Sequence, residues 1–216
     1  MKKFLLVTIV IFISVIGNTQ NLRKGINYSF NPRVIANSAT IVWYGFDLRY
    51  SHMLDHKRFS ESEIIVKTHI PGIQTVLEEY YNDKVIKRLV DKLVVSNDMP
   101  TIHDLTDNMI HEGFISRRNV DLQIEDVKSI VKEYTLSATQ GLGVVIIIEM
   151  FNKPEKYVSG FVTFFDIESR EVLHSTRISG EAGYKYGFNK YWANGIINLT
   201  QEFFQSSTYR KINKIK

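Results

Sequence analysis

The sequence predicts one α/β (α+β) domain, a single mixed sheet ending in a three-stranded antiparallel meander with helices packed on it. Three observations predict this. Gly141 to Phe151 is an apolar, β-branched run of the kind found in strands buried on both faces, and Tyr157 to Ile167 and Val172 to Ser179 follow it across short polar turns. Turns that short cannot house a crossover, so the three strands are antiparallel neighbours and a purely parallel doubly wound sheet is excluded. Upstream, Ile124, Val127, Val131 and Tyr134 recur at helical spacing, and downstream Trp192, Ile196, Leu199 and Phe203 do the same, so helices flank the meander.

Taken in order, the chain opens on Met1-Lys2-Lys3, an apolar stretch from Phe4 to Ile16, and small or polar residues from Gly17 to Gln20, the pattern of a secretory signal peptide over 1–19. That apolar stretch is shorter than the roughly 20 residues of a spanning helix, so no stable membrane anchor is expected once the signal is removed. With no cysteine there is neither a disulfide framework nor a lipid-bearing residue, and the expected location is a bacterial periplasm or the cell exterior, not as a lipoprotein. Residues 20–38 read as a linker or amino-terminal arm, 39–208 as the domain and 209–216 as a basic tail. Ala39 to Leu48 is β-branched and aromatic and predicts the first strand. Ser60 with Glu63 resembles a capping box, Pro71-Gly72 interrupts, and Ile73 to Lys92 resumes in helical style. Leu93 to Val95 is a short strand closed by Ser96-Asn97-Asp98 and Pro100. Thr101 opens a helix ended by Gly113, Asp121 caps the next, and Asn189 caps the last.

The formal charge of +4 sits at the ends of the chain. Without Lys2, Lys3, Arg210, Lys211, Lys214 and Lys216, 21 basic side chains face 23 acidic ones, so a nucleic-acid partner is not expected. Phosphate-loop, Gly-x-Ser-x-Gly and His-Glu-x-x-His signatures are absent, and Gly141-Leu142-Gly143 precedes a strand where a dinucleotide loop must follow one. No cofactor is expected. His103, Asp107 and His111 share a helical face at ligand-like spacing, but that face is the polar side of the helix and no metal site is expected there; His52 with His56 is a second such pair. Glu149 is the lone charge in its apolar run and is expected to point outward at the strand's end.

The segment Gly180 to Trp192 is the candidate binding surface. Tyr184, Tyr186 and Tyr191 could stack on a ring or a partner's surface, while Lys185, Asn189 and Lys190 sit where a helix amino terminus attracts an anion. The plainer reading, which the sequence favours, is that these aromatics fold back over the sheet. Phe161 to Leu173, Gly180 to Gly183 and Gly187 to Ala193, with Tyr134, Gly141 to Gly143 and Glu149 to Lys153, resemble a family of uncharacterised exported proteins of Bacteroidota. Gly183 to Phe188 departs from that family's Gly-Gly-Phe-Gly-like connection by a longer insertion. The order of elements is also similar to α/β domains of envelope assembly, such as the amino-terminal domain of the Tol translocation protein and the curli-secretion lipoprotein. The resemblance implies export and carries no activity. The expectation is a non-enzymatic binding or assembly module for an envelope protein or glycan. An envelope hydrolase using Asp47, Glu149 or Asp166 is the alternative.

Overall fold

The computed structural model describes residues 27–55, 62–92, 94–107, 109–110, 112–183 and 186–214. In chain order these form β1 (Asn27–Ser29), α1 (Pro32–Asn37), β2 (Thr40–Asp47), β3 (His52–Leu54), α2 (Ser62–Ile64), a π-helical stretch (Ile65–His69), α3 (Ile70–Tyr80) and α4 (Asp83–Val90). They continue with β4 (Val94–Asn97), α5 (Met99–Thr106), β5 (Ile115–Ser116), α6 (Ile124–Lys132), β6 (Leu142–Asn152), β7 (Tyr157–Asp166), β8 (Val172–Glu181), α7 (Phe188–Gln205) and α8 (Ser207–Asn213). The signal segment at 1–19 lies outside the described residues.

One mixed sheet holds the strands in the order β1-β8-β7-β6-β2-β4. The meander is antiparallel as expected, with Val145 opposite Thr163 and Val162 opposite Thr176. On the other edge of β6, β2 runs parallel beside its first half (Trp43 opposite Val144) and β3 beside its last residues (Met53 opposite Phe151), with β5 paired to β3. Every residue of β6 is buried because both faces are covered. Val144, Ile146 and Ile148 join the core beneath α3, α4, α7 and α8, whereas Val145 and Ile147 pack with Val127, Val131 and Tyr134 in the core under α6. Trp192 is buried, its ring edge-on to Phe151 at 5.4 Å. Among the described residues no helix is long and apolar enough to cross a membrane.

Several local expectations are corrected. The part of the arm that is described, residues 27–38, is built into the fold: Tyr28 pairs with Ser175 on the outer edge of β8, and Ile35 of α1 is fully buried. Residues 209–214 of the basic tail also belong to it, since Tyr209 and Ile212 of α8 are core residues. Pro71-Gly72 does not break its helix. The ladder widens to π spacing just ahead, and Pro71 then falls in the first turn of α3, where a missing N–H costs least. Pro100 likewise opens α5 instead of closing β4; Asp98 precedes the helix and accepts the Thr101 hydroxyl at 2.7 Å, and the helix ends at Thr106. Asp121 is not a cap, because Gln123 and Asp126 form the capping box of α6. Gly187, at φ +89°, turns the chain into α7 one residue before Phe188, which displaces Asn189 from the capping position. Ser60 and Leu93 lie outside the described residues.

His174 of β8 is fully enclosed against Phe164 and Phe203. Thr176 gives its hydroxyl proton to Asn27, so the ring donates from Nε2 to Thr176 Oγ1 at 2.7 Å and Nδ1 remains buried without a partner. Burial pushes the imidazole down from 6.5 to about 4. The unfolded chain therefore takes up the proton first as pH falls. The contribution to stability is complete above about pH 6.5 and is lost as pH drops toward 4. A series of thermal melts from pH 7 to 4 should show Tm falling across that window, and His174→Gln should flatten the fall.

Candidate functional site

A groove opens where α4, the end of α7 and α8 meet. Asn82 starts α4 by accepting the Val85 N–H at 3.1 Å, which sets Ile86 and Val90 inward and leaves Arg88 exposed beside half-buried Val85 and Leu89. Asp91 ends α4 in the left-handed region at φ 48°. Ser206 then joins α7 to α8, donating its hydroxyl to Phe203 O at 2.6 Å and accepting the Tyr209 N–H at 3.1 Å. That double cap turns α8 back toward α4, where the Tyr209 hydroxyl donates to Val90 O. Burial, with Asp91 nearby, pushes the Tyr209 phenol up and keeps it a neutral donor. The space left between these helices has a volume of about 440 Å³, within the range of small-ligand sites.

Cations dominate its rim. Among the described residues, Arg88, Arg210 and Lys214 line the groove against a single carboxylate, Asp91. Arg210 donates from Nη2 to Gln205 O at 2.8 Å and from Nε to Ser206 O at 3.4 Å, so the end of its own helix pair fixes the guanidinium. Half-buried Tyr80 accepts from Gln201 Nε2 at 2.7 Å, leaving its own hydroxyl proton available.

On the α6 face of the sheet sits a buried charge cluster that corrects the expectation for Glu149. The register of β6 against β7 shifts between Ile148 and Met150, and this bulge turns Glu149 inward, fully buried. Its Oε2 accepts from Arg177 Nη2 at 2.7 Å, from Arg177 Nε at 3.0 Å and from Ser159 Oγ at 2.9 Å, while Oε1 accepts the Leu122 N–H at 2.7 Å. Arg177 Nη2 also donates to Asp121 Oδ1 at 2.8 Å. Burial raises the Glu149 carboxyl above its ordinary range, and Arg177 opposes that rise. His52 Nε2 accepts the Val120 N–H at 3.3 Å in the same region, with burial lowering its pKa. The segment leading into α6 is thus fastened to the sheet by groups contributed from β3, β6 and β8.

The other carboxylates named for hydrolysis are similarly occupied. Asp47, fully buried at the end of β2, accepts from Arg49 at 2.8–3.3 Å and from the Tyr134 hydroxyl at 2.9 Å. Asp166 accepts from the Ser169 N–H and hydroxyl, both at 2.8 Å, and so shapes the β7–β8 turn. The three lie apart from the cationic groove, whose lining contains none of them.

The binding surface read from the sequence is split. Tyr184 and Lys185 lie outside the described residues. Tyr186 is 98% exposed and Lys190 is exposed. Asn189 is instead a packing residue: its Oδ1 meets His69 Nδ1 at 2.8 Å, and its amide lies where a Cβ on Gly72 would stand, 1.9 Å from Nδ2. Tyr191 folds back edge-on to Trp192 at 5.0 Å. Of the ligand-like set, His103 turns across to Glu78 on α3, Asp107 is exposed just past the end of α5, and His111 lies outside the described residues. Among the described residues no group of three or more His, Asp and Glu side chains is placed to hold a metal. His56 is also outside them.

Sequence reasoning missed Arg177 and Arg88. Arg177 is the one Lys, Arg, Asp or Glu between Val172 and Gly180, as Glu149 is the one in β6, and pairing those two would have exposed the cluster. Arg88 carries no such signal, because one arginine on the polar side of a short helix is ordinary.

No family model matches the chain, and no curated protein matches it. Among solved structures the chain is similar to the PelC dodecamer from Paraburkholderia phytofirmans, at 7% identity and a TM-score of 0.28, over 82% of this chain and 97% of that one.

Proposed function

We propose that the protein is an exported, non-enzymatic module that binds an envelope protein or glycan. The observation that carries this reading is the occupation of its buried carboxylates. Asp47 accepts Arg49 on both of its oxygens and Glu149 accepts two Arg177 N–H groups on one, each together with a hydroxyl, and each joins elements distant in the chain. A general acid or nucleophile needs free access to a substrate atom, and convergence with a second polar group in a cleft. The positively charged and then apolar start of the chain supports export. The purified protein, immobilised and challenged with envelope fractions, should retain material stoichiometrically and release it chemically unchanged. Time-dependent appearance of soluble fragments at many turnovers per protein would replace this reading with the hydrolase.

A further inference from the structure

The groove between α4, α7 and α8 carries an inference that deepens the binding reading and rests on it. We propose that this groove holds an acidic saccharide unit, its carboxylate against Arg88 and Lys214 and its hydroxyls against the surrounding side-chain donors.

Three properties select that ligand. Charge is the first: among the described residues three cations and one carboxylate line the groove, and the side chains of Arg88 and Lys214 have neither a hydrogen bond nor an ion pair. Arg210 makes bonds only to main-chain carbonyls, which fix its position and leave its charge uncompensated. An anion at this rim gains charge-assisted hydrogen bonds without displacing a protein carboxylate. The second property is the surplus of donors. The Tyr80 hydroxyl, which accepts from Gln201, keeps its own proton free, and Gln205 and Asn213 add two amides to the lining. These suit a ligand dense in hydroxyl acceptors. The third is shape. The walls are helices, which offer no strand edge to pair with an extended peptide, and a space of about 440 Å³ is compact. Half-buried Val85 and Leu89 supply an apolar strip for the face of a sugar ring.

Asp91 opposes the anion from the same rim. Since asparagine tolerates the left-handed backbone that residue 91 adopts, Asp91→Asn removes the charge without straining the turn.

The test is calorimetric titration of the purified protein with trigalacturonate, with maltotriose as a neutral ligand of equal length, with deca-glutamate and with inorganic phosphate. Trigalacturonate should bind and maltotriose should not. Binding should weaken as the Debye length shrinks from about 10 Å at 0.1 M salt to about 3 Å at 1 M. Arg88→Gln and Lys214→Gln, both at exposed positions, should each weaken it about tenfold, and Asp91→Asn should tighten it; unchanged Tm values would show that the variants remain folded. No binding of trigalacturonate, or binding indifferent to both variants, overturns the proposal. Deca-glutamate binding in its place points to an acidic peptide, and phosphate binding as tightly reduces the groove to a simple anion site; either result also overturns it. Retention of envelope material that survives these failures leaves the module reading standing without this groove, whereas loss of retention as well removes both.

Discussion

Replacing Arg177 with Met should destabilise the fold by about 3–5 kcal/mol, because it strands a buried carboxylate without its counter-charge. Glu149 is fully enclosed, and three of its contacts come from Arg177 and Ser159. For a domain of this length that loss corresponds to a fall in Tm on the order of 10 °C, readable by scanning calorimetry. Burial already holds the Glu149 carboxyl above its ordinary range, so the folded state binds a proton more readily than the unfolded chain. Stability conferred by that proton grows as pH falls through the folded pKa, and the deficit of Arg177→Met should shrink at lower pH. Adding Glu149→Gln to it should recover part of the loss at neutral pH, since the amide can still accept from Leu122 and donate to Ser159. Equal deficits at both ends of the pH range would mean that Arg177 acts through packing alone.

Gly180→Ala is the second large effect, expected at about 3 kcal/mol or more, the upper end of what overpacking costs. The reason is the closeness of α7 to β8. A Cβ on Gly180 would stand 2.2 Å from Leu199 N and 2.3 Å from Gly195 O, both backbone atoms of one 18-residue helix. Neither can swing aside as a side chain would, so the helix must lift and take Trp192, Ile196, Leu199 and Phe203 with it. Gly113→Ala is the control. There φ is +79° but a Cβ meets nothing within 4 Å, so only the left-handed penalty of about 1–2 kcal/mol applies. Urea denaturation of both variants separates the two cases, and a Gly180→Ala midpoint at or above that of Gly113→Ala would refute the close-approach argument.

The carboxyl-terminal half was legible because its signals are local. The runs of β6, β7 and β8, the stripe on α6 and the aromatic face of α7 each declare themselves within a dozen or so residues, and the sheet forms as they require. What escaped was decided at a distance. Residues 27–29 look like linker because a three-residue edge strand has no period of its own; only the exposed edge of β8 makes it a strand. The same holds for β3 and β5, which exist because the far end of β6 outruns β2. Asn189 and Asp121 carry the chemistry of caps but are drawn into tertiary bonds with His69 and Arg177. The groove is hidden for the same reason, since Arg88 and Lys214 are 126 positions apart in the chain and are brought to one rim by the turn at Ser206.

The pairing of β2 with β6 has a consequence for how the molecule is made. Thr40 meets Val94, Val42 meets Gly143 and Tyr28 meets Ser175, so the first strands to leave the ribosome complete their bonding only through loops of about 50 to about 150 residues. The β6–β8 hairpins, whose partners are close in sequence, are the natural nucleus. Until that nucleus is synthesised β1 has no partner and β2 has only the four-residue β4, so most of the sheet forms late in translation.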